Sequence, residues 1–497
     1  MNKHPLSLRR SGLLLHPSSL PGPWISGNLG ADAFCFVDFL VDAGQTVWQM
    51  LPLGVPHGDG SPYQCLSVYA GNPVLISPES LRDAGWLDGD VITQASHHAN
   101  KDTGLHTRLL AQAHAGFRAG ASDVDRASFA AFIEKQEHWL HDYALYRVLH
   151  QHYHHHSWVK WPKHLRDREP VAIAEARAMY AEQIAEICFE QFVFFRQWQA
   201  LKDYANSKGV LMFGDMPIFI AADSADVWCE RRYFDLDETG VPRTVTGVPP
   251  DYFSATGQRW GNPHYRWEVM VDDDFAWWKR RLAMQLQLFD VLRIDHFRGF
   301  EASWVIPAEE ETAIAGHWVE VPGQQLFDSL LKHFGSLPLV AEDLGIITPA
   351  VEALRDRYHF PGMKILQFAF GGDSSNPYLP HNHQINSIVY TGTHDNDTTL
   401  GWYRSLDEAE KTHVCEYLGL ETDEDMPWPL IRAALESVAN TAIVPLQDVL
   451  GLDSRHRMNT PGTTRGNWRW RFDWWDVPAD LAGRLHQLTA TYQRLPG

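Results

Sequence analysis

The 497-residue chain is short of cysteine, of cations and of long apolar runs, and each shortage closes off a class of function. Its five cysteines (Cys35, Cys65, Cys188, Cys229, Cys415) are odd in number, scattered and free of CxxC spacing. That argues against a disulfide frame and for reduced thiols in a cytoplasmic protein. Lys and Arg total 42 against 62 Asp and Glu, a formal net charge of −20. Phosphate backbones need clustered cations, so no nucleic acid partner is expected. No apolar stretch reaches bilayer length, and "MNKHPLSLRRSGLLLHP" holds only a brief leucine run, so neither a membrane partner nor a secretory signal is expected. There is no GxGxxG after the first apolar run, no Walker loop, no GxSxG and no HExxH. Fixed-period repeats and low-complexity segments are missing too, which favours one continuous architecture.

What is present is a series of short apolar runs that end in a polar residue or glycine. They are "GLLLHP" from Gly12, "TVWQMLPLG" from Thr46, "GVLMFGDMPIF" from Gly209, "VLRIDHF" from Val291, "LVAEDLG" from Leu339, "MKILQFAF" from Met363 and "SIVYTGTHD" from Ser387. Buried strands of parallel sheets read this way, without alternation. Helical spacing lies between them. Apolar residues recur every three or four positions through Phe129–Leu149, and again from Ile184 to Leu201, where "NSKG" supplies Gly209 as a stop. The alternation predicts a (β/α)8 TIM barrel spanning 1–497, with an eighth strand near "RMNTPGT" (Arg457–Thr463). Two intervals are too long for plain crossovers. They predict a mainly helical insertion over 74–206, between strands two and three, and a second insertion over 221–289, between strands three and four.

Three of the apolar runs stop at charge: "RIDHFRGF", "AEDLG" and "THDND". In a parallel barrel every strand's C-terminal end opens on one face, where catalytic groups collect. Asp295, Glu342 and Asp395 therefore converge on one pocket from strands four, five and seven. A helix cap or a turn accounts for any one of these acids alone. Three of them, each after a parallel-type strand and two beside His or Arg, are better read as a site. Carboxylates without surplus metal ligands suit cleavage of a glycosidic bond, in which one stabilises or attacks the anomeric carbon and a protonated one donates to the leaving oxygen. Arg293, two residues before Asp295, shares its strand face and would keep it ionised. Glu342 would need a raised pKa. Asp343 should point away and serve structure.

These segments resemble the 4-α-glucanotransferases (amylomaltases, or disproportionating enzymes) of the α-amylase-like clan of barrels. The resemblance runs through "SGLLLHPSSLPGP", "SPYQCLSVYAGNP", "GDMPIFIAADSADVW", "GVPPDYFSATGQRWGNPHYRW", "RIDHFRGFE", "AEDLG", "NPYLPHN", "YTGTHDNDT" and "RMNTPGTTRGNWRWR". It implies transfer of α-1,4-glucan segments between maltooligosaccharides by a retaining double displacement, with no cofactor and no metal. By the same resemblance Asp295 is the nucleophile, Glu342 the general acid/base and Asp395 the transition-state stabiliser. Arg293 and His394 position the reacting groups. Ser61, Tyr63, Gln258, Trp260, Asp373 and Asn467 line sugar subsites, and Tyr252 and Phe253 belong to a loop over the acceptor groove carried by the 221–289 insertion. Two positions depart from the family pattern: Asn28 stands where an Asp is usual and Ser303 where an aromatic is common. An α-glucan hydrolase and a non-catalytic glucan-binding protein are the rival readings. The run "HQHYHHHSW" (His150–Trp158) lacks an acidic or Cys partner at ligand spacing and reads as a solvated helix end. Chain-length preference, oligomeric state and pathway are not encoded in these motifs.

Overall fold

A computed structural model describes residues 4–96, 104–250, 254–422 and 425–496. Eight parallel strands form the central sheet: β1 (Arg10–Leu14), β2 (Val47–Gln49), β3 (Leu211–Pro217), β6 (Val291–Asp295), β9 (Leu339–Ala341), β10 (Gly362–Ile365), β11 (Ser387–Tyr390) and β12 (Thr441–Pro445). Their order is β10-β11-β12-β1-β2-β3-β6-β9. Ala341 N–H donates to the Pro361 carbonyl at 2.9 Å and closes the sheet between β9 and β10. The fold is a (β/α)8 barrel.

The strands are three to seven residues long because their apolar runs are short. Val47, Phe213, Val291, Val340, Ile388 and Ile443 meet inside the barrel in one buried cluster. Removing each such side chain from water contributes about 1.5–3 kcal/mol. A Cβ on Gly214 would lie 2.3 Å from the Phe289 ring. Glycine at that point lets the strand that carries Asp215 pack flush against the helical layer.

The eighth strand is not where the sequence placed it. It is "TAIVP" at Thr441–Pro445, paired with β1 and β11, whereas Arg457–Thr463 is loop. Only three apolar residues mark this strand, and just the short link 437–440 parts it from an apolar helix, Trp428–Glu436, from which pattern alone does not separate it. The helix read through Phe129–Leu149 is likewise two helices, Asp123–Lys135 and Leu140–His152. The break lets Trp139 turn inward: its indole N–H donates to Gln136 Oε1 at 2.8 Å and its ring stacks on Tyr69. The long helix Ala181–Ser207 does end ahead of Gly209, which takes φ +78°.

Between β2 and β3 the chain forms mostly helices, packed through an aromatic cluster that includes Trp86, Phe117, Phe189 and Phe192. A feature absent from the sequence reading is a second sheet, antiparallel, in the order β5-β4-β7-β8. Strands β4 (Thr244–Val248) and β5 (Gln258–Pro263) come from the segment after β3, and β7 (Ala302–Pro307) and β8 (His317–Glu320) from the segment after β6. Two crossovers thus share one sheet beside the barrel mouth. No helix among the described residues is long and apolar enough to cross a membrane.

Candidate active site

The charge that interrupts the strands gathers at their C-terminal ends. Asp215 on β3 and Arg293 on β6 are register partners, so their side chains share the inner face. Arg293 donates to Asp215 Oδ2 at 2.6 Å and to Asp295 Oδ1 at 2.9 Å. Burial by itself would weaken the guanidinium charge, but Asp215 and then Asp295 reverse this and hold Arg293 firmly protonated. Tyr63 approaches from the hairpin after β2, and its hydroxyl donates to the same Asp215 oxygen at 2.8 Å. The hydroxyl is also 2.8 Å from His394 Nε2, so the imidazole donates to it. The Tyr63 and His394 rings stack with centroids 5.4 Å apart. His394 Nε2 in turn lies 3.4 Å from Asp395 Oδ2.

One polar chain therefore runs from Asp295 through Arg293, Asp215, Tyr63 and His394 to Asp395. Burial opposes ionisation of Asp395, and His394, Asn459 and Arg293 together outweigh it, leaving the carboxyl well below its usual range. The groups that crowd it desolvate it even though 47% of its side-chain surface remains accessible. His394 shows the mirror image: burial favours its neutral form, Asp395 outweighs burial, and the pKa rises.

Glu342 follows β9 directly. Its carboxylate accepts from His296 N–H at 2.7 Å and from Leu344 N–H at 3.0 Å, which fixes it against the backbone beside Asp295. Burial lifts its pKa to about 7; the Asp295 charge adds to the rise, and Arg293 and the two backbone donors oppose it. The next residue has the opposite fate. Asp343 is buried, accepts from Met363 N–H at 2.7 Å and pairs with Arg355 at 2.5 Å, away from the pocket.

The other sequence-predicted residues are placed unequally. Trp260 on β5 sits edge-on to His296, centroids 4.8 Å apart, and its indole N–H donates to Gln258. Ser61 occupies the tip of the Tyr63 hairpin, with its Oγ 3.4 Å from Tyr63 N. Asp373 accepts from the Ser375 N–H and hydroxyl, contacts internal to its own loop. Asn467 bonds Thr460 N–H and Thr463 O and closes the loop 460–467. Tyr252 and Phe253 lie outside the described residues.

The site also holds residues that the sequence motifs do not single out. Asp215 had a signal, being a lone acid inside the apolar run "LMFGDMPIF". Asn459, which bonds Asp395, and Trp468, whose ring centroid lies 6.1 Å from those of Tyr63 and His394, both fall in the segment "RMNTPGTTRGNWRWR", but the resemblance there singles out only Asn467, and the strand expected near Arg457–Thr463 hides the loop. Gln64 and Asn262 exchange amide bonds at 3.1 and 3.3 Å, tying the Tyr63 hairpin to β5. Nothing in the two motifs announces that pairing.

The histidine run also reads differently in three dimensions. The helix ends at His152, but His150 is buried and lies 3.5 Å from Asp223, an acid 73 residues further along the chain that sequence spacing could not supply. Among the described residues no three His, Cys, Asp or Glu side chains form a group able to hold a metal ion.

A sequence model of the 4-alpha-glucanotransferase family matches residues 15–476. The 4-alpha-glucanotransferase of Thermus thermophilus is 48% identical over 98% of this chain and 99% of its own length. That of Synechocystis is 47% identical over 98% and 99%, and the chloroplastic/amyloplastic enzyme of Solanum tuberosum 43% over 99% and 88%. Among solved structures, the amylomaltase from Streptococcus agalactiae in complex with acarbose superposes with a TM-score of 0.94 at 36% identity, covering 98% of this chain and 100% of that one.

Proposed function

The chain belongs to the 4-alpha-glucanotransferase family, and from that premise we propose that it moves α-1,4-glucan segments between maltooligosaccharides by a retaining double displacement. Asp295 attacks the anomeric carbon of the bound donor while Glu342 gives its proton to the departing glycosidic oxygen. The C1–O bond breaks, the reducing-end fragment leaves, and an ester forms between C1 and Asp295. The 4-hydroxyl of an acceptor glucan then attacks C1, Glu342 takes its proton, and the ester bond breaks. Two inversions give net retention.

The observation that carries this reading is the divergence of the acids. Glu342 is lifted to about 7 and can begin protonated, whereas Asp395 is held well below the ordinary range and stays charged. Carboxyl groups driven apart in this way are suited to separate acid/base and electrostatic roles. Arg293, fixed by Asp215, orients Asp295. Asp395, His394 and Tyr63 face the sugar, and Trp260 with Gln258, Ser61, Asp373 and Asn467 line subsites around it. The steps use carboxyl chemistry throughout and invoke no cofactor. The binding of acarbose by the Streptococcus agalactiae amylomaltase supports an oligosaccharide groove here. Cysteine usage supports a cytoplasmic setting.

Incubation with maltotriose tests the proposal. Transfer gives glucose together with a ladder of longer maltooligosaccharides. Maltose and glucose alone would make the protein a hydrolase, and no turnover would make it a binding protein.

A further inference from the structure

Asp395 is gripped by a loop that the reaction scheme above leaves out. Asn459 Nδ2 donates to Asp395 Oδ1 at 2.7 Å. Arg457, two residues earlier, donates to the Asp395 backbone carbonyl at 3.0 Å and to the Asn459 carbonyl at 3.1 Å. Its guanidinium also lies 3.8 Å from Asp397. Asn459 thus hydrogen-bonds one carboxylate oxygen, while the His394 ring, whose Nε2–H goes to Tyr63, lies 3.4 Å from the other as an ion-pair neighbour only. An aspartate with no second contact would rotate about its terminal torsion, which is broad and roughly two-fold.

We propose that Asn459 is a positioning residue that fixes the carboxylate plane of Asp395 toward the reacting sugar. The inference rests on the role given to Asp395 above. A donor to an ionised acceptor makes a short, directional bond, and its loss leaves the oxygen free to turn from the position the transition state needs. The effect therefore belongs in kcat and not in ground-state binding. Asn459 is not itself placed on the sugar.

Three variants of the full chain, assayed with maltotriose from about pH 4 to 8, test this. Asn459→Ala is expected to lower kcat roughly 10- to 100-fold with KM changed less than about threefold. Asn459→Asp sets a second carboxylate against Asp395 and should fall further at neutral pH. As the pH drops and the new carboxyl takes a proton, it becomes a donor again, so activity relative to wild type should recover on the acid side. That recovery is a signature that simple loss of loop structure would not give, and it stands even if the alanine variant fails to fold. Asp395→Asn serves as the control. If Asp395→Asn is inactive while Asn459→Ala keeps kcat within threefold, the positioning role is wrong. It is equally wrong if Asn459→Asp shows no acid-side recovery. If Asp395→Asn itself keeps full turnover, the reading of Asp395 falls and this inference with it.

Discussion

Two buried arginines mark the two ends of the barrel, and they are neutralised in different ways. Arg293 at the mouth lies between Asp215 and Asp295. Arg494 at the base, fully buried, has no carboxylate partner among the described residues and instead donates to the carbonyls of Arg10, Leu435, Ser437, Ala439 and Asn440. Burial, and then the neighbouring Arg9, push its pKa down to about 9. At the mouth, charge is set against charge, and the surrounding acids shift in opposite directions. At the base, one cation closes off the carbonyls at a helix end and two strand starts, with only the like-charged Arg9 as its titratable neighbour among the described residues. A buried charge is therefore no mark of function by itself; its partners decide. Carbonyls make a clasp, whereas carboxylates that must share one cation couple their charges to one another.

The largest effect that would sharpen this contrast is at Asp295. Asp295→Asn is expected to lower maltotriose turnover on the order of 10⁴-fold or more, with the thermal midpoint little changed; loss of fold in place of activity would remove the contrast. The arginines follow. Arg293→Lys cannot serve two carboxylates in a fork and should reduce kcat roughly 10²–10³-fold. Arg494→Ala should leave kcat of the folded protein near wild type but lower stability in urea by about 2–4 kcal/mol, because buried carbonyls lose their donor. If Arg494→Ala proved the more damaging to kcat, the two ends would not differ as described.

Glu342 gives the next test. Its raised pKa means that the folded state resists the charged form, so the penalty is absent below the unfolded value, grows as pH rises toward about 7, and is complete above it. Glu342→Gln should therefore be inactive on maltotriose yet more stable than wild type at pH 8, by on the order of 1–3 kcal/mol, with the gain disappearing near pH 4. Wild-type kcat/KM should decline as pH rises through about 7. The smallest effect is at the bridge between the Tyr63 hairpin and β5. Asn262→Ala should raise KM for maltotriose about three- to tenfold and leave kcat within a similar factor, measured by glucose release.

Much of the mouth was legible because barrel strands write their ends into the sequence: a run of Val, Leu and Ile that stops at Asp, Glu or His. The strand positions of Asp295, Glu342 and Asp395 followed from that. The paired fate of Glu342 and Asp343 followed from side-chain alternation, and the structure places Asp343 against Arg355. Less was visible where short elements depend on distant partners. β12 is a strand because β1 and β11 flank it, not because "TAIVP" declares itself. The antiparallel sheet joins two crossovers that the sequence keeps apart. Asp215 could have been found as a lone acid in an apolar strand. Asn459 lies in the quoted segment "RMNTPGTTRGNWRWR", but its contact depends on a loop folding over Asp395 from 64 residues away, which no local pattern gives.

The proposed mechanism has Asp295 carry the sugar between donor and acceptor while Glu342 handles the proton. Its most direct test is mass spectrometry of Glu342→Gln after exposure to α-maltotriosyl fluoride, whose leaving group needs no acid catalyst. A covalent maltotriosyl adduct on the peptide that contains Asp295 is the expected result. Unmodified protein, or an adduct on any other residue, would contradict it.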